Sequence, residues 1–242
     1  MFKNCTALRT FFTAFLFLLA GAIAGSMAHG SETGSSTDTT SIPPLHSGSG
    51  IESSDAGRDW LKYIVRCALP AGSKVAVPNG DGKDVLEGMF GVAPEWAHAR
   101  LSDTGERWVS ACLLAFVNAL GEHVLVSVRG DQANLKSTVA ADERIEFSFQ
   151  EAAFYGNLFS EDGAQYVCRG KGGDVPSPSR SKRLCSDPSE RPGVSRCGMI
   201  ITGNCRDVCS VDDAVDRFVT HCRGGDRVYD EVVTVFLPVH KP

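Results

Sequence analysis

The sequence predicts an α+β fold: a single domain with two buried helices in the N-terminal half, several short strands in an antiparallel or mixed sheet, and a disulfide-rich C-terminal part. Three observations support this prediction. Residues 104–120 are apolar nearly all round, which is typical of a buried helix. Short runs with the period-two alternation of half-buried strands lie between the helical segments. Six cysteines fall within residues 168–222, a density typical of a disulfide-stabilised region.

An export signal is predicted at residues 1–28. Lys3 and Arg9 precede an almost uninterrupted apolar run, and Ser26 with Ala28 gives an A-x-A-like cleavage site. The run is only just long enough to span a bilayer, so an uncleaved anchor is the alternative. No later stretch approaches this length, and we therefore expect no membrane span after signal cleavage.

Composition divides the rest of the chain into a spacer and a domain. Residues 29–55 are rich in Ser, Thr, Gly and Pro and have too few large apolar side chains to fold, so we expect a disordered spacer. Residues 56–242 are long enough for one disulfide-stabilised globular domain. The formal net charge of −5 weakly opposes a nucleic-acid partner, and none is expected.

The first elements of the domain follow from apolar spacing. Residues 57–69 have the periodicity of a helix that ends at Pro70. Residues 74–77 and 85–90 are β-prone, and the Gly/Asn/Asp-rich stretch PNGDGKD between them predicts a hairpin turn.

A buried helix over residues 104–120 and a following strand are the clearest features. Asp103 is the predicted cap, Glu106 is placed to reach back as in a capping box, and Gly121 provides the stop. The stretch HVLVSVRG that follows alternates as in a strand with one face in the core.

The C-terminal half gives weaker signals. Alternation predicts a strand over residues 144–149, whereas EAAFYGNLF has no clean period. The cysteine-rich stretch begins at residues 165–168, and a loop is predicted between residues 170 and 192. The β-branched run within residues 228–237 predicts the last strand. Residues 210–222 have helical apolar spacing and a Ser210 cap, so we expect a helix there.

The chain has nine cysteines, and Cys5 lies in the predicted signal. The even remainder predicts a disulfide framework built from Cys67, Cys112, Cys168, Cys185, Cys197, Cys205, Cys209 and Cys222. Sequence alone does not select a pairing. Cys67 and Cys112 both lie on predicted core-facing helix stripes and are expected to pair. Cys209 and Cys222 are expected not to pair, because a helix would hold them about 20 Å apart, whereas a disulfide needs about 4.4–6.8 Å between Cα atoms.

Metal sites are the rival interpretation of two motifs. Cys197, Cys205 and Cys209 lack the paired C-x2-C knuckles of structural zinc sites, so bridges are favoured over zinc. Asp81 and Asp84 resemble part of a calcium loop, but the bidentate carboxylate at the twelfth position is missing and a hairpin turn accounts for them. We therefore expect no metal and no cofactor.

No catalytic residue is assigned from sequence. Cys112 with His123 suggests a thiol and its base, but Cys112 is surrounded by apolar residues, unlike a reactive thiol. His221 fits a helix-dipole contact in the last turn of its predicted helix. The predicted domain has enough carboxylates for a glycosidase-like pair, but sequence does not show which of them lie close together: Glu87, Glu95, Glu106, Glu143, Glu146 and Glu151.

Three stretches carry a resemblance: WVSACLLAFVNA at 108–119, EAAFYGNLF at 151–159 and VVTVFLP at 232–238. In that order, with cysteines between the last two, the chain resembles uncharacterised cysteine-containing exported proteins of Gram-negative bacteria. The resemblance covers about residues 60–238. It implies a periplasmic, cell-surface or secreted location and brings no activity or ligand.

These observations predict an exported, disulfide-stabilised binding or envelope-associated module with an envelope or protein partner of unknown identity. The alternative is a secreted hydrolase that uses carboxylate or histidine acid/base chemistry. A pocket joining two of Glu95, Glu143, Glu146, Glu151, His98 and His123 would favour the hydrolase.

Overall fold

A five-stranded mixed sheet organises the molecule. Its strands, in the order in which they lie side by side, are β3 (Ser127–Arg129), β11 (Val233–Leu237), β4 (Phe149–Asn157), β5 (Ala164–Arg169) and β6 (Ile200–Asn204). All neighbours are antiparallel except β5 and β6. The predicted α+β class with a mixed sheet is confirmed.

The computed structural model describes residues 55–79, 82–118, 123–137, 139–171, 193–195, 197–211 and 217–239. The predicted signal and almost all of the predicted spacer lie outside these ranges, as do Asp81, Gly121, Cys185 and most of the predicted loop at residues 170–192. Within the described ranges, no helix combines the length and the apolar character that a bilayer crossing needs.

Two helices cover one face of the sheet. α2 (Asp103–Ala115) lies across β4 and β11, and α1 (Asp55–Ala68) packs behind it. A disulfide joins Cys67 of α1 to Cys112 of α2 with the Cα atoms 5.9 Å apart, so the predicted pairing is confirmed. Ala152 and Phe154 of β4 belong to this helix-side core.

A hairpin extends from α1. β1 (Lys74–Asn79) pairs antiparallel with β2 (Gly82–Glu87), so two antiparallel strands are present as predicted. The second strand begins and ends three residues earlier than the predicted residues 85–90. A short 3-10 helix (Pro94–Ala97) then leads into α2 and buries Trp96 completely.

α2 begins and ends differently from the prediction. Its cap is Ser102, whose Oγ accepts a hydrogen bond from the Gly105 N–H at 3.1 Å, rather than Asp103. Glu106 does not complete a capping box with Asp103, because its Oε2 accepts from Asn157 Nδ2 at 3.1 Å. The helix ends at Ala115, five residues early, and β3 keeps only the last part of the strand predicted after it.

β4 was not predicted from the sequence pattern. It contains most of EAAFYGNLF, and nearly all of its residues are buried. Ala152 and Phe154 face the helices, while Ala153 and Tyr155 belong to a second core on the opposite face. A strand covered on both faces has no polar face and therefore shows no alternation.

The strand predicted over residues 144–149 is wrong. α3 (Ala133–Ser137) and α4 (Ala141–Glu146) precede β4, and Ile145 of α4 is 67 % exposed. The two-residue alternation around Ile145 therefore does not mark a core face. The Ala, Glu and Arg residues of this segment favour a helix instead.

A C-terminal layer covers the second face of the sheet. From β6 the chain passes through α5 (Cys205–Val208), β7 (Ser210–Val211), β8 (Val219–Thr220), β9 (Cys222–Gly224) and β10 (Arg227–Tyr229). β7 pairs antiparallel with β8, and β9 with β10. The single strand predicted at residues 228–237 is thus two strands, β10 and β11.

The helix predicted over residues 210–222 is wrong, and so is the rejection of a Cys209–Cys222 bridge. Because β7 and β8 pair antiparallel, the chain turns back and brings Cys209 and Cys222 together as a disulfide with 4.0 Å between Cα atoms. Arg217 and His221 have φ of 55° and 48°, which an α-helix does not accommodate. The Val219 N–H donates to Thr234 Oγ1 at 3.1 Å, so contacts with β11 replace helical ones.

Candidate functional site

The six carboxylates and histidines whose convergence would favour a hydrolase are spread over four parts of the chain. Glu95 and His98 are at the 3-10 helix, Glu143 and Glu146 on α4, and Glu151 on β4. His123 is exposed in the segment before β3. Glu95 Oε1 accepts from Ser102 Oγ at 3.4 Å, and Glu87 pairs with Lys74 at the surface, 3.5 Å away.

Cys112 has no thiol to act as a nucleophile, because it is bonded to Cys67. His221 is not at a helix end as predicted. It lies between β8 and β9, and its Nδ1 is 2.6 Å from Asp230 Oδ1.

A cleft between α1 and the β1–β2 hairpin is the first candidate site. It encloses about 290 Å³. Its lining residues are Arg58, Asp59, Leu61, Lys62, Val77, Asn79, Asp84 and Leu86. None of the six carboxylates and histidines whose convergence would favour a hydrolase belongs to this lining.

The cleft is lined by three aliphatic side chains and by polar and charged side chains of both signs. Leu61, Val77 and Leu86 are buried. On the rim, Lys62 Nζ lies 3.8 Å from Asp59 Oδ1, and both side chains are more than half exposed. A lysine on the rim can therefore pair with a ligand's carboxylate, and an aspartate on the rim can pair with the ligand's ammonium group.

The hairpin positions the far wall of the cleft. Val77 pairs with Asp84, and Asn79 Nδ2 donates to Asp84 Oδ2 at 3.0 Å. Asp84, considered above as a calcium ligand, is thus held within the hairpin, whereas Asp81 lies outside the described residues. Arg58 and Lys62 were not predicted as site residues from sequence. Both lie on the polar side of a predicted helix that is followed by a predicted hairpin, and this arrangement could have indicated a cleft between the two elements.

A sulfur centre on the opposite face of the sheet is the second candidate site; we use this name for Cys168, Cys205, Cys209 and Cys222. Cys168 is bonded to Cys205, and Cys209 to Cys222. The two disulfides touch, with Cys168 Sγ 3.6 Å from Cys209 Sγ. Cys197 is also disulfide-bonded, but not to any of these four.

A tyrosine cluster packs beside the sulfur centre in the same core. The rings of Tyr155, Tyr166 and Tyr229 lie with their centroids 5.6–5.7 Å apart. Tyr155 Oη donates to the Arg223 carbonyl at 2.9 Å and lies 2.6 Å from Thr202 Oγ1. Burial raises the pKa of Tyr155 to about 12, and the hydrogen bond with Thr202 offsets part of that effect.

Comparison of the chain with protein-family models, curated proteins and solved structures finds no match. Function is therefore argued from the two sites themselves.

An ion pair fixes α2 to the chain just before β11. Arg107 Nε and Nη2 donate to the two carboxylate oxygens of Glu231 at 2.8 and 3.0 Å. Glu231 is buried, and its hydrogen bonds raise the pKa of Arg107. A bidentate pair of this kind orients α2 on the sheet, and we assign it a structural role.

Proposed function

We propose that the chain is an exported, disulfide-stabilised binding module whose cleft between α1 and the β1–β2 hairpin takes a small zwitterionic ligand. The observation that carries this proposal is the arrangement of the cleft. It combines the charged side chains of Arg58, Asp59, Lys62 and Asp84 with three buried aliphatic side chains. Ligand sites are typically concave, with an apolar lining and a few polar groups that fix orientation.

Rigidity of the cleft supports a binding role. One wall, α1, is bonded to α2 through Cys67–Cys112, and the other wall is a hairpin paired along its whole length. A preformed site loses less entropy on binding than a flexible one. The disulfides are also compatible with an oxidising compartment outside the cytosol.

We expect weak binding. The rim charges are exposed, and each exposed ion pair contributes about 0–1 kcal/mol. A volume of about 290 Å³ is at the small end of ligand sites. A dissociation constant on the order of 1 mM corresponds to about 4 kcal/mol, so the assay has to detect millimolar affinity.

Chemical-shift mapping tests the binding proposal. Isotope-labelled protein is titrated with glycylglycine, which is zwitterionic, and with N-acetylglycinate and glycinamide, which carry one charge each. We expect saturable shifts on α1 and the hairpin with glycylglycine and weaker shifts with the singly charged probes. Absence of a saturable shift at the cleft with glycylglycine would sink the proposal.

A matched pair of variants localises the effect. Lys62→Glu reverses a rim charge and is expected to weaken glycylglycine binding at least threefold. Arg66→Glu reverses a charge at an exposed position of the same helix. Arg66 does not line the cleft, so binding should be unchanged. Equal effects of the two substitutions would indicate general charge attraction rather than a site.

Export is tested separately in a Gram-negative host. The recovered protein is expected to begin at His29, to fractionate with the periplasm, envelope or medium, and to contain four disulfides by non-reducing peptide mapping. Two or more free thiols in protein recovered from the envelope would overturn the four-bridge framework.

A further inference from the structure

We infer that the sulfur centre is the oxidised form of a metal site, and that once reduced it binds one soft divalent cation such as Zn²⁺ through Cys168, Cys205, Cys209 and Cys222. This inference does not depend on the cleft, which lies on the helix side of the sheet. It concerns a different set of ligands from Cys197, Cys205 and Cys209, whose spacing in sequence disfavours zinc.

The distances match a tetrathiolate centre. The sulfurs of Cys168, Cys205 and Cys209 lie within 4.8 Å of one another, and Cys222 Sγ is bonded to Cys209 Sγ. Zinc–sulfur bonds of about 2.3 Å place the sulfurs of a tetrahedron about 3.8 Å apart. The contact of 3.6 Å between the Cys168 and Cys209 sulfurs is already close to that length. The two bonded pairs have to open, each by less than about 2 Å. Cys222 Sγ does not lie within 4.8 Å of all three other sulfurs and has to move inward as well.

Backbone hydrogen bonds hold the sulfurs together independently of the disulfides. Cys168 pairs with Ala153 of β4 on one side and with Gly203 of β6 on the other. Cys205 begins α5 immediately after β6, and the Cys209 N–H donates to its carbonyl at 2.8 Å. These three sulfurs therefore stay on one scaffold when their covalent bonds are removed.

The fourth ligand comes from the β9–β10 pair of strands. Cys222 lies in β9 and pairs with Tyr229 of β10. Its Sγ lies 3.8 Å from the carbonyl oxygen of Thr220, which is buried.

Access to the centre is through Cys209. Cys168, Cys205 and Cys222 are almost completely buried, whereas Cys209 is partly exposed. A reductant or a metal ion can therefore approach Cys209 first. The remaining shell of Val219, Val232 and tyrosine rings excludes water, which favours a tightly held soft cation over a hydrated one.

The chemistry balances with a dithiol as reductant. Each protein disulfide takes two electrons and two protons from one dithiol, which becomes a disulfide, so two dithiols yield four protein thiols. Zn²⁺ then displaces the thiol protons and forms four Zn–S bonds. Oxidation of the sulfurs releases the ion, so metal binding and disulfide formation exclude each other.

Cobalt spectroscopy tests the inference. The full chain is reduced with a dithiol, freed of it anaerobically and titrated with Co²⁺. We expect one Co²⁺ per chain, a thiolate-to-cobalt charge-transfer band, the ligand-field bands of a tetrahedral site, and displacement by Zn²⁺. The oxidised chain should show none of these. A reduced chain that shows no tetrahedral spectrum would overturn the inference.

Three cysteine variants identify the ligands. Cys168→Ser with Cys205→Ser is expected to abolish the tetrahedral spectrum, whereas Cys67→Ser with Cys112→Ser leaves it unchanged. Cys197→Ser should also retain the spectrum, and its loss would instead place Cys197 among the ligands. Since a double variant can fail to fold, Cys209→Ser alone provides a milder test, with an expected loss of at least tenfold in Co²⁺ affinity. Unchanged affinity in Cys209→Ser would contradict the assignment.

Discussion

At the residue scale, one glycine shows how closely the C-terminal layer sits on the sheet. A Cβ at Gly224 would lie 2.6 Å from a ring carbon of Tyr166. That ring packs against the rings of both Tyr155 and Tyr229, so it has little room to move aside. Glycine is therefore required at this position for close packing.

Gly224→Ala is expected to lower the free energy of unfolding by about 1–3 kcal/mol, because the added methyl group overpacks the tyrosine cluster. Gly82→Ala is the matched control. Its Cβ would meet only Asn79 O, at an ordinary 3.6 Å, and the change should stay within about 0.5 kcal/mol. Denaturant titration of both variants measures the difference, and equal stabilities would refute the packing argument.

The raised pKa of Tyr155 should cause the free energy of unfolding to fall at alkaline pH. Its pKa is about 12 in the folded chain against an ordinary value of 10.0, so between these values the unfolded chain has lost a proton that the folded chain keeps. The associated stability is fully present below pH 10 and is lost as pH rises to about 12. A shift of two units corresponds to about 2–3 kcal/mol.

Unfolding free energies measured across this pH range check the prediction. Tyr155→Phe should reduce the alkaline loss relative to the wild-type chain. An unchanged slope in Tyr155→Phe would mean that another group causes it, with Tyr229 the next candidate, since burial also raises its pKa.

At the element scale, apolar spacing predicted the secondary structure of a segment only where tertiary contacts did not override it. Helices with a single apolar stripe, such as α1, could be predicted because the stripe is their buried face. β4 could not, because both of its faces are buried and its pattern has no period. The segment from Ser210 to Cys222 has helical spacing, yet pairing between β7 and β8 and contact with Thr234 override it.

The same limit applies to the candidate sites. The Cys67–Cys112 bridge could be predicted from two helix stripes, since both were correctly identified. The sulfur centre depends on β5, β6 and β9 meeting in space, and no local spacing encodes that meeting. An error in one element, the helix assigned to 210–222, was enough to exclude the correct Cys209–Cys222 pair.

The start of α2 gives a direct comparison between pattern and structure. Because Ser102 caps the helix, Ser102→Ala is expected to cost about 1 kcal/mol of stability. Asp103→Ala removes only a favourable charge in the first turn, worth about 0.3–0.5 kcal/mol at an exposed position. Thermal or chemical denaturation of the two variants ranks them, and the reverse order would restore the cap predicted from sequence.

At the scale of the whole molecule, the two faces of the sheet are stabilised by different means. The helix side has the larger apolar core, built from α1, α2 and the sheet, and includes the Cys67–Cys112 disulfide. The C-terminal side has a small core in which tyrosines and two disulfides take the place of aliphatic side chains. Its strands β7 to β10 are two or three residues long, and strands so short have little stability of their own.

Reduction of the disulfides should therefore loosen the C-terminal layer before the rest of the fold. We expect hydrogen exchange to accelerate in β7 to β10 after dithiol treatment, while α2 and β4 remain protected. The core around α2 retains its apolar burial without Cys67–Cys112, whereas the layer loses two cross-links, each worth about 3–4 kcal/mol from the length of chain it closes.

Timed alkylation should label Cys209 and Cys222 first, because Cys209 is the partly exposed member of the centre. Simultaneous loss of protection in α2 and the C-terminal layer would show that the chain unfolds as one cooperative unit. If the layer does loosen, adding Zn²⁺ to the reduced chain should restore its protection, since binding to the four thiols stabilises the folded form.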